Sequence, residues 1–445
     1  MNRTPMGATS RRSLAAAATL AAALVALSAP ARADLASQFA MSSRSLGLGG
    51  AYAAVSEDMA ALYYNPAGLV QLRSMTVSAG LLAGLPFLRE DGADPGTPRE
   101  VSTYLHAGLP LGGSLEDLLA FGVSLNLPWG KLLGSTLHKK KKPYFVLYDN
   151  SVQQLQIRLG AAGRIPWKPL SFLTFGVSIQ VLGAVRGEIG FYSPFQPGGD
   201  APADPDAALE AWADIEVPTS TFVTVGMMAA IGDRWRVGLT YHQAQSIDVQ
   251  FPISFTTRLS VSSDLEVGIP VQADARFTTK YHPQQLTLGA SYRRGALMVA
   301  LDLSWIDYSA YQIPYARLEL DLERLKLDPG LRLFLGPDAT LLDPMRPDVR
   351  WRDVLVTRVG AEYRVLPWLV VRGGYSFEPS PLTGTDFPIY DCDKHGFALG
   401  ARVSLHRPLG LLPGWFHWDL AVQELLYAGR AVMGAEVGGH VFAVS

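Results

Sequence analysis

A chain of 445 residues with 38 basic and 40 acidic side chains has no cationic excess to hold nucleic acid. Its single cysteine, Cys392, excludes an internal disulfide and a cysteine-built metal centre. Charged residues are only 18% of the chain, apolar ones 48%, and there are 43 glycines, a balance poor in charge and rich in glycine for a soluble globule.

The first segment reads as a targeting signal. Arg3, Arg11 and Arg12 precede an Ala/Leu-rich core from Leu14 to Leu27, and Ala31-Arg32-Ala33 supplies a small-x-small end. Residues 1–33 are therefore expected to be a cleaved secretory signal, with the mature chain starting at Asp34. The apolar run is too short for a spanning anchor, and no stretch of 18 apolar residues follows it. An exported chain without a helical span can occupy a membrane only as a closed barrel.

Residues 34–73 form the next unit. Ser45 to Val70 is rich in Ala and Gly and does not alternate, which suits a plug rather than a strand. Gly47, Gly49 and Gly50 permit close backbone approach and unusual dihedrals. A helix is expected from about Ser56 to Tyr64, stopped by Asn65-Pro66 because the residue before proline is pushed out of the helical region. Asn65 then either caps exposed carbonyls and bonds a surrounding wall, or merely ends the helix.

From residue 74 to 445 the chain reads as strand after strand, about fourteen in all. The expected spans are 75–87, 101–110, 119–129, 151–165, 171–190, 219–231, 235–257, 273–294, 297–313, 353–366, 368–379, 395–407, 415–428 and 433–445. Leu173, Phe175, Val177, Ile179 and Val181 alternate with Thr174, Gly176, Ser178 and Gln180. Leu297 to Trp305, Leu369 to Glu378 and Phe397 to His406 repeat the pattern. Alternation fits a soluble sandwich as well as a barrel. The near-continuous apolar set, with Trp235, Tyr241, Trp305, Tyr308, Trp368, Tyr375, Phe416 and Trp418 near strand ends, favours lipid-facing strands with aromatic girdles. Tight turns at 166–169, 232–234, 293–295 and 366–367 alternate with long loops, which puts both barrel ends on the periplasmic side. In those loops, Asp204-Pro205-Asp206 predicts the cap of a short helix with Leu209, Trp212 and Ile215 on one face. Tyr315 to Arg350 reads as a hairpin. The run His138-Lys139-Lys140-Lys141-Lys142 is a solvated cationic loop or a contact for lipopolysaccharide phosphates. Arg358, Glu362, Arg364, Arg372, Glu378 and Arg402 are expected to face the lumen, mostly as ion-pair ladders, with Arg372 or Arg402 available to a carboxylate headgroup.

Gly47-Leu48-Gly49-Gly50-Ala51-Tyr52, Asp58, Asn65-Pro66-Ala67-Gly68-Leu69, Asp302-Leu303-Ser304-Trp305-Ile306-Asp307-Tyr308 and the block from Trp351 through Arg358-Val359-Gly360-Ala361-Glu362-Tyr363 to Pro379-Ser380-Pro381 come in a fixed order. Together they resemble the FadL/TodX-type outer-membrane transporters of long-chain fatty acids and other hydrophobic compounds. A Gly stands at position 50, where Arg is more frequent, and Lys394 stands for the usual Arg. The resemblance implies an all-β, transmembrane antiparallel barrel of about 14 strands with an N-terminal hatch in its lumen. It implies passive uptake of a fatty acid, alkane or aromatic, with a lateral gap in some members at a kinked third strand. Here that strand is Phe121 to Gly130, and Asn126 and Pro128 mark the candidate defect, although Pro128 serves equally well as a plain strand end. The expected binding and gating set is Gly47, Gly49, Gly50, Asn65, Pro66, Ala67, Asn126, Pro128, Arg372 and Arg402. No cofactor or metal is implied, and the partners are an apolar small molecule and outer-membrane lipid around a monomer. No Gly-x-Ser-x-Gly, His-Glu-x-x-His or P-loop pattern points to an enzyme. A structural or secretion-associated barrel, or a lipid hydrolase with a dispersed site, is the alternative.

Overall fold

Strands that are apolar on one face and small or polar on the other must bury or cover both, and this chain does so by rolling into a cylinder. The computed structural model describes residues 40–445 except 98, 113–114, 116, 130–132, 135–143, 146–152, 183–184, 195–207, 218–219, 263–264, 312–315, 321–348, 385–388 and 408–413. The N-terminal signal, the lysine run and the Asp204-Pro205-Asp206 cap lie outside the described residues. Fourteen antiparallel strands close on themselves in sequence order. They are β1 Thr76–Glu90, β2 Glu100–Pro110, β3 Leu119–Pro128, β4 Gln156–Arg164, β5 Leu173–Leu182, β6 Ser220–Ile231, β7 Trp235–His242, β8 Gln285–Arg294, β9 Leu297–Ile306, β10 Val354–Leu366, β11 Leu369–Glu378, β12 Lys394–His406, β13 Trp415–Val432 and β14 Ala435–Val444. β1 pairs with β14 from Ala83↔Val444 to Glu90↔Val437, which closes the wall.

The pattern is inside-out. Phe175, Val177 and Ile179 are exposed on the outside of β5, while Thr174, Ser178 and Gln180 are buried within. Leu399 and Trp418 are 67% and 73% exposed, values that water would penalise and that hydrocarbon rewards. Trp235, Trp368, Trp415 and Phe416 ring the end with short turns, and Tyr241, Trp305 and Tyr375 ring the end with long loops. Tyr308 departs from the expected girdle. It is buried beside Ile306, Val354 and Val356, because the turn Tyr308–Ala310 folds its ring inward against Tyr311.

Three expected strands are longer than barrel strands because they run out of the wall into external ribbons. Val185–Pro194 pairs with Ala208–Val217, and Gln245–Ser262 pairs with Leu265–His282, which adds a third strand at Ala316–Leu320. The helix expected around Leu209, Trp212 and Ile215 is therefore a strand. That sequence also alternates, and ten continuous pairings to the preceding strand decide between the two periods.

The hatch fills the cylinder between its ends. Helix α1, Ser43–Gly47, opens with a reciprocal capping box of Ser42 and Ser45. The expected Ser56–Tyr64 helix shrinks to α2, Ala61–Tyr64, followed by a 3-10 turn at Pro66–Gln71. Asp58 is the reason: its carboxylate accepts from the Ala60 N–H at 3.0 Å and from the Tyr52 hydroxyl at 2.6 Å, and so holds the chain in a turn.

Candidate functional site

Glycines make the contact between hatch and wall. A Cβ built on Gly122, Gly160, Gly176, Gly226, Gly238, Gly360 or Gly374 would come closer than 3.0 Å to hatch atoms. These positions lie on the inner faces of seven strands, so the wall is reduced to backbone where the hatch passes. The hatch answers in kind: a Cβ on Gly47 would stand 3.2 Å from the Gly400 Cα. Gly49 (φ 62°) and Gly50 (φ 78°) adopt left-handed backbone beside Tyr375 and Arg358.

Within this packing, a few polar bonds fix position. The Asp302 carboxylate on β9 accepts from the backbone N–H groups of Tyr52 and Ala53, at 2.7 and 2.8 Å. The Asn65 side-chain amide donates to the Ala53 carbonyl at 2.8 Å and to the Met227 carbonyl of β6 at 3.1 Å. Its oxygen accepts from the Ala67 N–H at 3.2 Å, across Pro66, so Asn65 caps the turn and bonds the wall together. The Ser178 hydroxyl donates to the Leu62 carbonyl at 2.6 Å.

A ring of charges sits at the short-turn end. Glu57 of the hatch accepts from Arg44, Arg236 and Arg293, each at 2.9 Å. Burial pushes the Glu57 carboxyl up, but the Arg44, Arg293 and Arg236 guanidiniums outweigh it and hold it well below the usual carboxylate range. Arg44 also reaches Glu362 at 3.0 Å, Glu362 takes Arg372 at 2.8 Å, and Arg372 and Arg402 share Asp419. Arg372 and Arg402 thus belong to an ion-pair ladder that continues from the hatch onto the wall, and Arg372 is buried in it.

The other side of the hatch faces the long loops. Tyr63 stacks between the Arg158 guanidinium and the His242 ring, both 5.0 Å away, and Tyr64 bridges to Tyr52 at 5.0 Å. Leu82, Leu88, Phe145, Tyr427, Val437 and Val441 form a buried apolar cluster on the wall of β13, β14 and β1. Below the loops, Lys394 bonds Glu378 and Asp391 at 2.9 and 3.1 Å, and Asp391 takes the Ser380 hydroxyl at 2.7 Å. The third strand ends at Pro128, opposite Ser102, and its ladder to β4 already stops at Asn126↔Gln156.

The backbone register of the external ribbons sets Val249, Phe251, Ile253, Phe255 and Leu259 opposite Phe277, Ala275, Ala273, Val271 and Val267. In the lumen the His242 ring packs on Tyr63, and the Gln245 amide donates to Gln180 at 3.4 Å.

Asp302, Ser178, Glu57 and Gln180 were not singled out by the sequence. The available signal was a carboxylate in mid-strand among the small alternates Ala300 and Ser304, which in a lipid-facing strand has no reason to exist unless something charged or hydrogen-bonding enters the lumen.

The chain is 22% identical over 371 residues to the alkane uptake protein A of Marinobacter nauticus, a match that covers 79% of this chain and 75% of that protein. Among solved structures, a FadL homologue of Pseudomonas aeruginosa aligns with TM-score 0.54 and 15% identity, over 94% of this chain and 98% of that one. The toluene transporter TbuX of Ralstonia pickettii aligns with TM-score 0.51 and 14% identity, over 91% and 96%. At that identity the likeness is one of fold. Residues 22–409 match the family described as outer membrane protein transport protein (OMPP1/FadL/TodX), so the chain belongs to this family of outer-membrane barrels.

Proposed function

We infer that the protein carries apolar compounds passively across the outer membrane, taking them in at the long-loop end and releasing them when the hatch rearranges. The observation that carries this is the combination of a lipid-facing barrel with a hatch that meets its wall through glycine backbone and a few polar bonds. Such a plug is tight at rest, yet it can shift without unpicking a large interlocked core. Each methylene withdrawn from water contributes about 0.8 kcal/mol, so an acyl or alkyl chain needs mainly apolar surface to enter. The cluster around Tyr427 and Val441 offers it. The relatives' own names, an alkane uptake protein and a monoaromatic hydrocarbon channel, fit a cargo of apolar small molecules.

In this reading Gly47, Gly49, Gly50, Asn65, Pro66 and Ala67 are the moving parts, and the end of the β3–β4 ladder at Asn126 and Pro128 is the side exit. Arg372 and Arg402 hold the periplasmic rim. The protein acts as a monomeric channel and not as an enzyme.

The test is uptake of radiolabelled hexadecane by cells of a host that has no hydrocarbon channel of its own. Saturable uptake above the empty-vector rate is expected. A folded, membrane-inserted barrel with no such increase, and no saturable binding of fatty acids, alkanes or aromatics, would instead mark a structural or secretion-associated barrel.

A further inference from the structure

The lumen above the hatch has two unlike walls. Beside the apolar cluster of β13, β14 and β1, the inner face of the next strands, β2–β5, carries Ser102, Asn126, Gln156 and Gln180, all at least 95% buried. They form a row. Asn126 lies directly opposite Gln156, while Ser102 pairs with Pro128, one inward step beyond Asn126, and Gln180 pairs with Arg158, one step beyond Gln156. Diagonal neighbours on adjacent strands are about 7–8 Å apart, within reach of an amide side chain.

The row is incompletely bonded. Gln180 is oriented by its oxygen, which accepts from Arg158 at 2.6 Å and from Gln245 at 3.4 Å, and its Nε2 has no acceptor among the described residues. Gln156 Oε1 and Ser102 Oγ are likewise buried without a partner among the described residues. A buried donor or acceptor left unmade costs about 1–3 kcal/mol, so several in one row are expensive unless something arrives to fill them.

We propose that this row binds the polar end of the transported molecule, and that the end is a neutral group that both donates and accepts, such as a hydroxyl. The assignment rests on the transport reading above and narrows it to long-chain alcohols and similar oxygenated hydrocarbons. The argument is one of hydrogen-bond matching. The Gln180 amide needs an acceptor and the Gln156 carbonyl oxygen needs a donor. A hydroxyl serves both at once, a bare alkane serves neither, and a carboxylate can only accept. The alkyl tail then lies along the neighbouring apolar wall, toward Tyr427, Val437 and Val441.

The experiment is equilibrium binding of labelled hexadecane, 1-hexadecanol and palmitate to the full-length protein in nanodiscs, at pH 7. The wild-type barrel is expected to bind 1-hexadecanol at least tenfold more tightly than hexadecane or palmitate. The double variant Gln156→Leu/Gln180→Leu should bind hexadecanol no better than hexadecane, with hexadecane affinity unchanged. Equal affinities in the wild type, a preference for palmitate, or a preference that survives the double variant would each overturn the proposal, the last two pointing to Arg158 or to lumen water as the recognising group. Asn126→Ala, which removes a smaller group, serves as the check should the double variant fail to fold, and a fivefold or smaller remaining preference is expected of it. Binding of none of the three ligands by a folded barrel would sink the transport reading itself. Equal binding of all three would sink only this one.

Discussion

The Asp302 carboxylate stands 2.7 Å from the backbone nitrogen of Tyr52, so a charge in the middle of a membrane-spanning strand is hydrogen-bonded by the backbone of the hatch. The same oxygen takes the Ala53 N–H. Bonds of this kind, with an ionised acceptor, are worth about 1.5–3 kcal/mol each. Asp302→Ala should therefore loosen the hatch. Hydrogen exchange at the Tyr52 and Ala53 amides is expected to accelerate at least tenfold, while the amides of β13 and β14 keep their protection. Unchanged exchange at Tyr52 would show that packing alone fixes the hatch.

Asn65 is a second anchor and acts differently, since it ties Ala53 to Met227 across the hatch. Asn65→Ala leaves two buried carbonyls short of a donor, a cost of about 1–3 kcal/mol apiece. The expected readout is more frequent current spikes in planar bilayers, with barrel melting unchanged.

Steric tests separate the glycines. Gly176→Val would drive a side chain into the Pro66 and Ala67 backbone, whereas a Cβ on Gly373 meets nothing nearer than 3.9 Å. Gly176→Val should give a leaky or misassembled protein, read as vancomycin sensitivity in whole cells. Gly373→Ala should be silent. A sensitive Gly373→Ala strain would mean that strand propensity rather than hatch clearance governs these positions.

Acid should release the hatch at its charged rim. The Glu57 carboxyl is depressed in the folded protein, so its stabilising contribution is fully present above the unfolded value of about 4.3 and fades as pH falls through the lower folded value. Limited proteolysis of the hatch is expected to increase only below about pH 4. Glu57→Gln should show that cleavage already at pH 7, with the acid-dependent component gone.

Much of the fold was legible because a period of two is written into the chain: Phe175, Val177 and Ile179 announce the outside of β5 as plainly as Thr174 and Ser178 announce its inside. Where the chain left the wall, legibility ended. The segment Ala208–Val217 satisfies both periods, and only its pairing with Val185–Pro194 decides it. The site was read in part. Gly49, Gly50 and Asn65 betray themselves through unusual backbone and capping chemistry, which are local properties. Asp302, Gln156 and Gln180 do not, because their importance arises from partners more than twenty residues distant, or from partners they lack.

A cylinder stripped to bare main chain at its waist has nothing of its own with which to fill its bore. Were residues 40–72 excised, the inward glycines of seven strands would leave that level of the bore without side chains to close it. The result would be a permanently open, water-filled conduit. In the transport reading proposed above, the permeability barrier is thus the hatch, a part distinct from the wall shaped around it.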